Sequence, residues 1–276
     1  MRKMSSERDP LGPVIAFFDV DGTMTFRDDG IPTDIPTPAV CNAINSFVSS
    51  GGVAIVSSGR AVSLLGETIQ SLPFRGIVAL DGLRVVLDGD ILLDEAIPSD
   101  LVVRMVDEMC RVGMRCLFQS DVCCVGLCPV GDAPSEWRGA VARSLEEMLL
   151  YNLTLRFSKV DFMDESLHAY RSSGLLRHEL AYYDVGEGAH ELVPHGMGKG
   201  SGARVLIDEL TRREGHAPAC VYAFGDFEND LSIFGVADVS VAMGQASARV
   251  REEASYVTLP ASQDGLVVAM SRLGLV

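Results

Sequence analysis

Apolar residues run unbroken through Val14-Ile15-Ala16-Phe17-Phe18 and then stop at Asp19-Val20-Asp21-Gly22-Thr23. A continuous β-rich run of this kind predicts a strand buried on both faces of a parallel sheet. The polar stretch from Arg27 to Thr37 predicts a loop. Pro38 then opens a helix with apolar positions at Val40, Ala43, Ile44, Phe47 and Val48, and Gly51-Gly52 ends it. Val53–Val56 predicts a second strand, ending in Ser57-Ser58-Gly59-Arg60. A helix over about Ala61–Leu72 and a strand over Gly76–Leu80, ending in Asp81-Gly82, complete the rhythm. Strand and helix alternating in this order predict a parallel α/β sheet.

The pattern then changes. Val85-Val86-Leu87 and Ile91-Leu92-Leu93 flank Asp88-Gly89-Asp90, which predicts a hairpin. Helices are expected near Ser99–Val112 and Ser135–Leu150. Strands are expected near Arg115–Gln119 and Val122–Leu127, with further short ones between Leu153 and Val185. Hairpins separated by single helices predict an antiparallel α+β unit. After Gly188 the α/β rhythm returns, with a helix over Gly200–Arg213, strands at Val221–Phe224 and Val239–Ala242, and a last helix near Gly265–Leu273. The expected organisation is a parallel-sheet core of residues 1–83 and 188–276, with an α+β domain of residues 84–187 inserted into it.

Charge narrows the partners. The 276 residues carry 23 Lys+Arg against 38 Asp+Glu, a net charge of −15. Such a chain repels phosphate backbones and anionic lipid, so neither nucleic acid nor membrane is expected as a partner. No apolar run reaches the ~18 residues of a membrane span, and the polar amino terminus has no apolar signal core. Seven cysteines without a CxxC pair read as free thiols of a reducing compartment, so a soluble cytoplasmic protein is expected. The cations are lopsided: 20 are Arg and three are Lys, at 3, 159 and 199. A Lys in this chain is therefore informative.

Ligands of open parallel sheets bind beyond the carboxyl ends of the strands. Three polar clusters converge there: Asp19-Val20-Asp21-Gly22-Thr23, Ser57-Ser58-Gly59-Arg60 and Gly225-Asp226-Phe227-Glu228-Asn229-Asp230. Asp19 and Asp21 can share one side of the chain, and Asp226 and Asp230, four apart, share a face of a helical turn. Four carboxylates in one crevice need cations between them. All-oxygen ligation selects a hard cation, Mg²⁺ by preference when waters and a phosphate complete the shell. Taken alone, Ser58 also fits a strand-end hydroxyl capping the next turn. Gly196–Ser201 mimics a phosphate loop but fails as a Walker sequence, because Val193 and Gly200 occupy required Gly and Ser/Thr positions.

These residues resemble the haloacid dehalogenase (HAD) superfamily of phosphatases. Asp19-Val20-Asp21-Gly22-Thr23 resembles its first motif, Ser58 its second, Lys199-Gly200 its third and Gly225-Asp226-x-x-Asn229-Asp230 its fourth. Order and spacing resemble the Cof-type branch, whose large type IIB cap lies between the second and third motifs. The resemblance implies a Rossmann-like HAD core carrying an α+β cap, and a small phosphorylated metabolite as substrate, with sugar phosphates favoured. It implies Asp19 as nucleophile, forming an aspartyl-phosphate, and Asp21 as general acid and then base. Ser58, Gly59, Lys199 and Asn229 would hold the phosphate. Mg²⁺ would be bound by Asp19, Asp226, the backbone carbonyl of Asp21 and, one shell out, Asp230.

Asp81-Gly82 stands where that branch has Asn-Gly, and an extra carboxylate near the entrance would disfavour strongly anionic leaving groups. Gln245 replaces the usual Asn after Met243-Gly244. Arg60, Arg115, Arg156 and Arg171 are candidate substrate contacts. Two rivals stand beside a phosphatase: a phosphomannomutase-like phosphomutase, and a non-catalytic regulator that binds a phosphometabolite. The sequence sets no oligomeric state.

Overall fold

The computed structural model describes residues 12–28, 31–33, 35–134, 137, 139–186 and 188–276. Eight strands form the larger sheet, in the order Tyr256–Val257, Val239–Ala242, Cys220–Gly225, Val14–Phe18, Val53–Ser57, Gly76–Ala79, Arg84–Leu87, Asp90–Asp94. The first six are parallel and the last two antiparallel. Val14–Phe18 lies between two parallel neighbours, which is why its apolar run is unbroken: Ile15 and Phe17 pack on one face, Ala16 and Phe18 on the other. Helices Pro38–Ser49 and Gly265–Arg272 cover one face, and Lys199–Glu214 the other. Thr37 caps the first of these by accepting from the Val40 amide at 3.2 Å.

The second sheet has six strands, in the order Ala140–Ala142, Cys124–Leu127, Cys116–Gln119, Lys159–Met163, Ala189–Pro194, Leu180–Asp184. It is antiparallel except for its first pair. Helices Ser99–Val112 and Leu145–Asn152 close a separate apolar core containing Met105, Met109, Phe118, Phe157 and Leu192. A small apolar contact of Ala61, Leu80, Leu83 and Val193 joins the two sheets.

Several sequence expectations change. The hairpin 84–94, expected in the inserted unit, extends the parallel sheet instead, because Gly76–Ala79 offers it an open edge. Conversely Ala189–Pro194, expected in the core, pairs with both neighbours in the second sheet. The helix expected over 61–72 shrinks to a turn at Val62–Leu64 and a helix at Glu67–Ser71, since Gly66 interrupts it in extended conformation. The helix expected from Ser135 begins at Leu145, where Ser144 caps the Glu147 amide, and Ala140–Ala142 is a strand. Ser135 and Glu136 lie outside the described residues, as do Asp29, Gly30 and Asp34 of the stretch expected as a loop after Arg27, where Arg27–Asp28 and Ile31–Pro32 pair as short antiparallel strands. All seven cysteines are free thiols. Among the described residues no helix is long and apolar enough to cross a membrane.

Candidate active site

Parallel register brings the polar clusters together. Phe18 pairs with Phe224 across adjacent strands, and their rings stack at 5.2 Å with planes 4° apart. Both side chains are wholly buried, each contributing roughly 1.5–3 kcal/mol of hydrophobic stabilisation. That stack holds level the two strand ends carrying Asp19 and Asp226, and the Asp19 amide donates to the Phe224 carbonyl at 3.1 Å. On the other side the Ser58 amide donates to the Val78 carbonyl at 2.8 Å, setting Ser58, Gly59 and Asp81 beside them. Gly22, at φ +79°, lets the loop after Asp19 turn under Asp226, where a Cβ would lie 1.9 Å from Asp226 Oδ2.

The Lys199 ammonium sits between two carboxylates, 2.7 Å from Asp19 Oδ1 and 2.6 Å from Asp230 Oδ1. All three side chains are buried. Burial alone would lower the Lys199 pKa, but Asp19, Asp230 and Asp81 hold it well above the usual range. The other oxygen of Asp230 accepts from the amides of Asp226 and Phe227 at 2.9 and 3.1 Å. Asp230 thus fixes the turn and the lysine at once. Burial, then repulsion from Asp230, pushes the Asp19 carboxyl well above its usual range despite Lys199. Burial and the charges of Asp19 and Asp230 do the same to Asp226.

Oxygens of Asp19, Asp226 and Asp230 all lie within 4.8 Å of one another. Asp226 Oδ1 is buried and has no hydrogen-bond partner, while Oδ2 accepts from Gln245 Nε2 at 3.0 Å. A repelling carboxylate set with an orphaned oxygen fits a hard divalent cation held by Asp19 and Asp226. Gln245, whose contact the sequence left open, also donates to the Gly22 carbonyl at 2.5 Å and accepts from the Ala261 amide at 3.1 Å. It ties the loop after Asp19 to Asp226.

Other expected site residues stand differently. The Asp21 carboxylate is apart from the three: it is half exposed and clamped by Arg60, Nε to Oδ2 at 2.8 Å and Nη2 to Oδ1 at 2.6 Å. Ser58 is wholly buried behind the cleft wall, and its hydroxyl accepts from the Arg60 amide at 3.1 Å, so it braces the turn. Asn229 lines the cleft and spends an amide hydrogen on Asp81 Oδ1 at 3.0 Å.

Asp81, expected near the entrance, is fully buried. Leu80 and Asp81 both adopt positive φ, 50° and 53°, turning the carboxylate inward. There it meets Lys159 Nζ of the second sheet at 2.8 Å. Burial disfavours its charge, yet Lys159 and Lys199 together hold its pKa below the usual range. Sequence reasoning named no role for Lys159, although the scarcity of lysine in this chain marked the position.

Arg60 lines the cleft, whereas Arg115 and Arg156 pair with Glu165 and Asp94 away from it. The cleft measures about 760 Å³ and lies between the two sheets. An acidic nest with one buried lysine at the carboxyl edge of a parallel sheet, roofed by a second sheet, can hold a nucleophilic carboxylate, a cation and the phosphate of a small ester together.

Comparison with known proteins agrees. The model of the haloacid dehalogenase-like hydrolases matches residues 16–270, and the chain belongs to that family. It is 27% identical over 270 residues to "Putative phosphatase YkrA" of Bacillus subtilis (strain 168), covering 95% of this chain and 98% of that one. It is 26% identical over 259 residues to a phosphoglycolate phosphatase of Methanoculleus marisnigri, covering 92% and 94%. Among solved structures it superposes on BT1666 from Bacteroides thetaiotaomicron with a TM-score of 0.78 at 22% identity, covering 99% of this chain and all of that one. The HAD subclass IIB sugar phosphatase BT4131 gives 0.75 at 21%, covering 96% and 100%. These two likenesses concern the fold: a parallel-rich α/β core with an α+β cap.

Proposed function

We propose that the protein is a Mg²⁺-dependent phosphatase of a small phosphorylated metabolite, a sugar phosphate by preference, acting through an aspartyl-phosphate on Asp19. The observation that carries this reading is the Lys199 ammonium bridging Asp19 and Asp230 beside the orphaned oxygen of Asp226. Bound Mg²⁺ would neutralise charge between the Asp19 and Asp226 carboxylates and the incoming phosphate. Lys199 holds the nucleophile in place and offsets negative charge on it. The Gly59 amide and Lys199 hold phosphate oxygens, and Ser58 braces the turn that presents Gly59. Asn229 serves the site by holding Asp81.

Asp19 attacks phosphorus, and the bond from phosphorus to the leaving oxygen breaks. A proton from Asp21 neutralises the departing alkoxide. Asp21 then takes a proton from water, whose oxygen attacks the phospho-aspartate to release phosphate and restore Asp19. Arg60 occupies both carboxylate oxygens of Asp21. The Asp21–Arg60 pair therefore opens, and Asp21 takes up a proton from solvent, before the leaving group departs.

The second sheet roofs the cleft, which favours small substrates over macromolecules. We take its chain crossings to be the short stretches after Asp94 and after Pro194, so that the cap is about residues 95–195. The test is phosphate release from a metabolite panel by wild type and Asp19→Asn. Turnover by wild type and its loss by roughly a thousandfold or more in the variant are expected. Hydrolysis by Asp19→Asn within about tenfold of wild type would remove Asp19 as nucleophile.

A further inference from the structure

The cap contributes a second polar cluster to the cleft. Cα pairing sets Lys159 beside Gln119 and Asp161 beside Glu191 on neighbouring strands, and alternation along the strand puts 159 and 161 on one face. All four line the cavity. Lys159 Nζ lies 2.8 Å from Asp81 Oδ2, 2.5 Å from Glu191 Oε1 and 3.5 Å from Asp161 Oδ1, so one ammonium serves three carboxylates. Gln119 Nε2 donates to Asp161 Oδ2. The cluster abuts the expected phosphate site: a Cβ on Gly59 would stand 3.2–3.3 Å from Asp81, Glu191 and Lys159.

Its acceptors outnumber its donors. Glu191, Gln119 and Asn229 are each 8% exposed and line the cavity, and Glu191 Oε2, Gln119 Oε1 and Asn229 Oδ1 have no hydrogen-bond partner. Asp161 keeps 28% of its side chain exposed. Lys159 is already surrounded, so the cluster offers an incoming group oxygens and negative charge.

We infer that this wall selects a leaving group rich in hydrogen-bond donors, an ammonium-bearing polyol above a neutral one, and rejects a leaving group with a second acid. The inference rests on reading the cleft as a phosphatase site. An ammonium would pair with Glu191 and Asp161 and satisfy the orphaned oxygens. A hydroxyl would satisfy them without the charge, and a carboxylate would meet like charge and leave them unpaired. Burial and the neighbouring carboxylates raise the Glu191 and Asp161 carboxyls, the state that a bound cation relieves.

The experiment compares kcat/KM for glucosamine 6-phosphate, glucose 6-phosphate and 6-phosphogluconate, with p-nitrophenyl phosphate as reference, all with Mg²⁺. The expected order is amine, alcohol, acid, with amine over acid by about 100-fold. Glu191→Gln combined with Asp161→Asn should cut that ratio at least about tenfold. The ratio is the readout, because a general loss of activity divides out of it. The wild-type order tests the inference even if the double variant does not fold. An acid used as well as the amine, or p-nitrophenyl phosphate hydrolysed with none of the three sugars turned over, overturns the inference and leaves the phosphatase reading standing. So does an unchanged ratio in a folded double variant. Failure to hydrolyse p-nitrophenyl phosphate at all sinks the phosphatase reading, and the inference with it.

Discussion

Lys159→Met isolates the charge that joins cap and core. Methionine keeps the length and the apolar stem but removes the ammonium held against Asp81, Glu191 and Asp161. Breaking a buried ion pair by deleting one partner costs about 3–5 kcal/mol. For a chain of this size that lowers the melting temperature by roughly 6–20 °C at pH 8. The sign of the pH dependence follows from the carboxyls left behind. Burial and repulsion from Asp81 already hold Glu191 and Asp161 above their usual range despite Lys159, and losing Lys159 raises them further. A carboxyl raised in the folded state stabilises below its unfolded pKa, and that stability is lost as pH rises through the raised value. The gap between wild type and variant should therefore be small near pH 5 and widen towards pH 8. Scanning fluorimetry of both proteins across that range measures it. A gap near zero at pH 8, or one that does not change with pH, would refute the reasoning.

The metal prediction uses the same sign. Asp19 and Asp226 are raised without a cation, so Mg²⁺ binding should displace protons, and its thermal stabilisation should grow from pH 6 to pH 8. Chelation should abolish turnover and Mg²⁺ restore it, while Ca²⁺ should raise the melting temperature yet support little turnover; full activity in excess chelator would end the metal assignment. Asp21→Asn should slow release of an alkyl leaving group far more than of p-nitrophenol in single-turnover measurements. Equal losses for the two would remove Asp21 as general acid.

The buried frame was legible because burial leaves a pattern. Val14–Phe18 and Val53–Val56 have neighbours on both sides, and their unbroken apolar runs say so. The residues after such strands were legible as a cluster, since parallel register makes every strand end at one edge. Edge pairing leaves no comparable trace. Nothing local in Arg84–Leu87 distinguishes a strand joining the sheet before it from one joining the sheet after it, and Ala189–Pro194 is ambiguous in the same way. The inward turn of Asp81 was hidden too, because Leu80, which turns first, is not a residue type that announces positive φ.

The chain's choice of cations carries the site's logic further than any single motif. Arginines pair with carboxylates outside the core, as in Arg75–Asp88, Arg213–Asp90 and Arg212–Glu209. Two of the three lysines, Lys159 and Lys199, are instead wholly enclosed, each among carboxylates from different elements. A compact ammonium directs three rotatable donors at partners on several sides, whereas a guanidinium presents a flat fork that needs them in one plane. Asp19 and Asp230 approach Lys199 from two core loops; Asp81 approaches Lys159 from the core and Glu191 from the cap. Neither site offers a coplanar pair on one carboxylate. The scarcity of lysine thus reflects geometry: this chain uses it where a buried charge must be shared. One shared charge holds the nucleophile, and the other holds the cap over it.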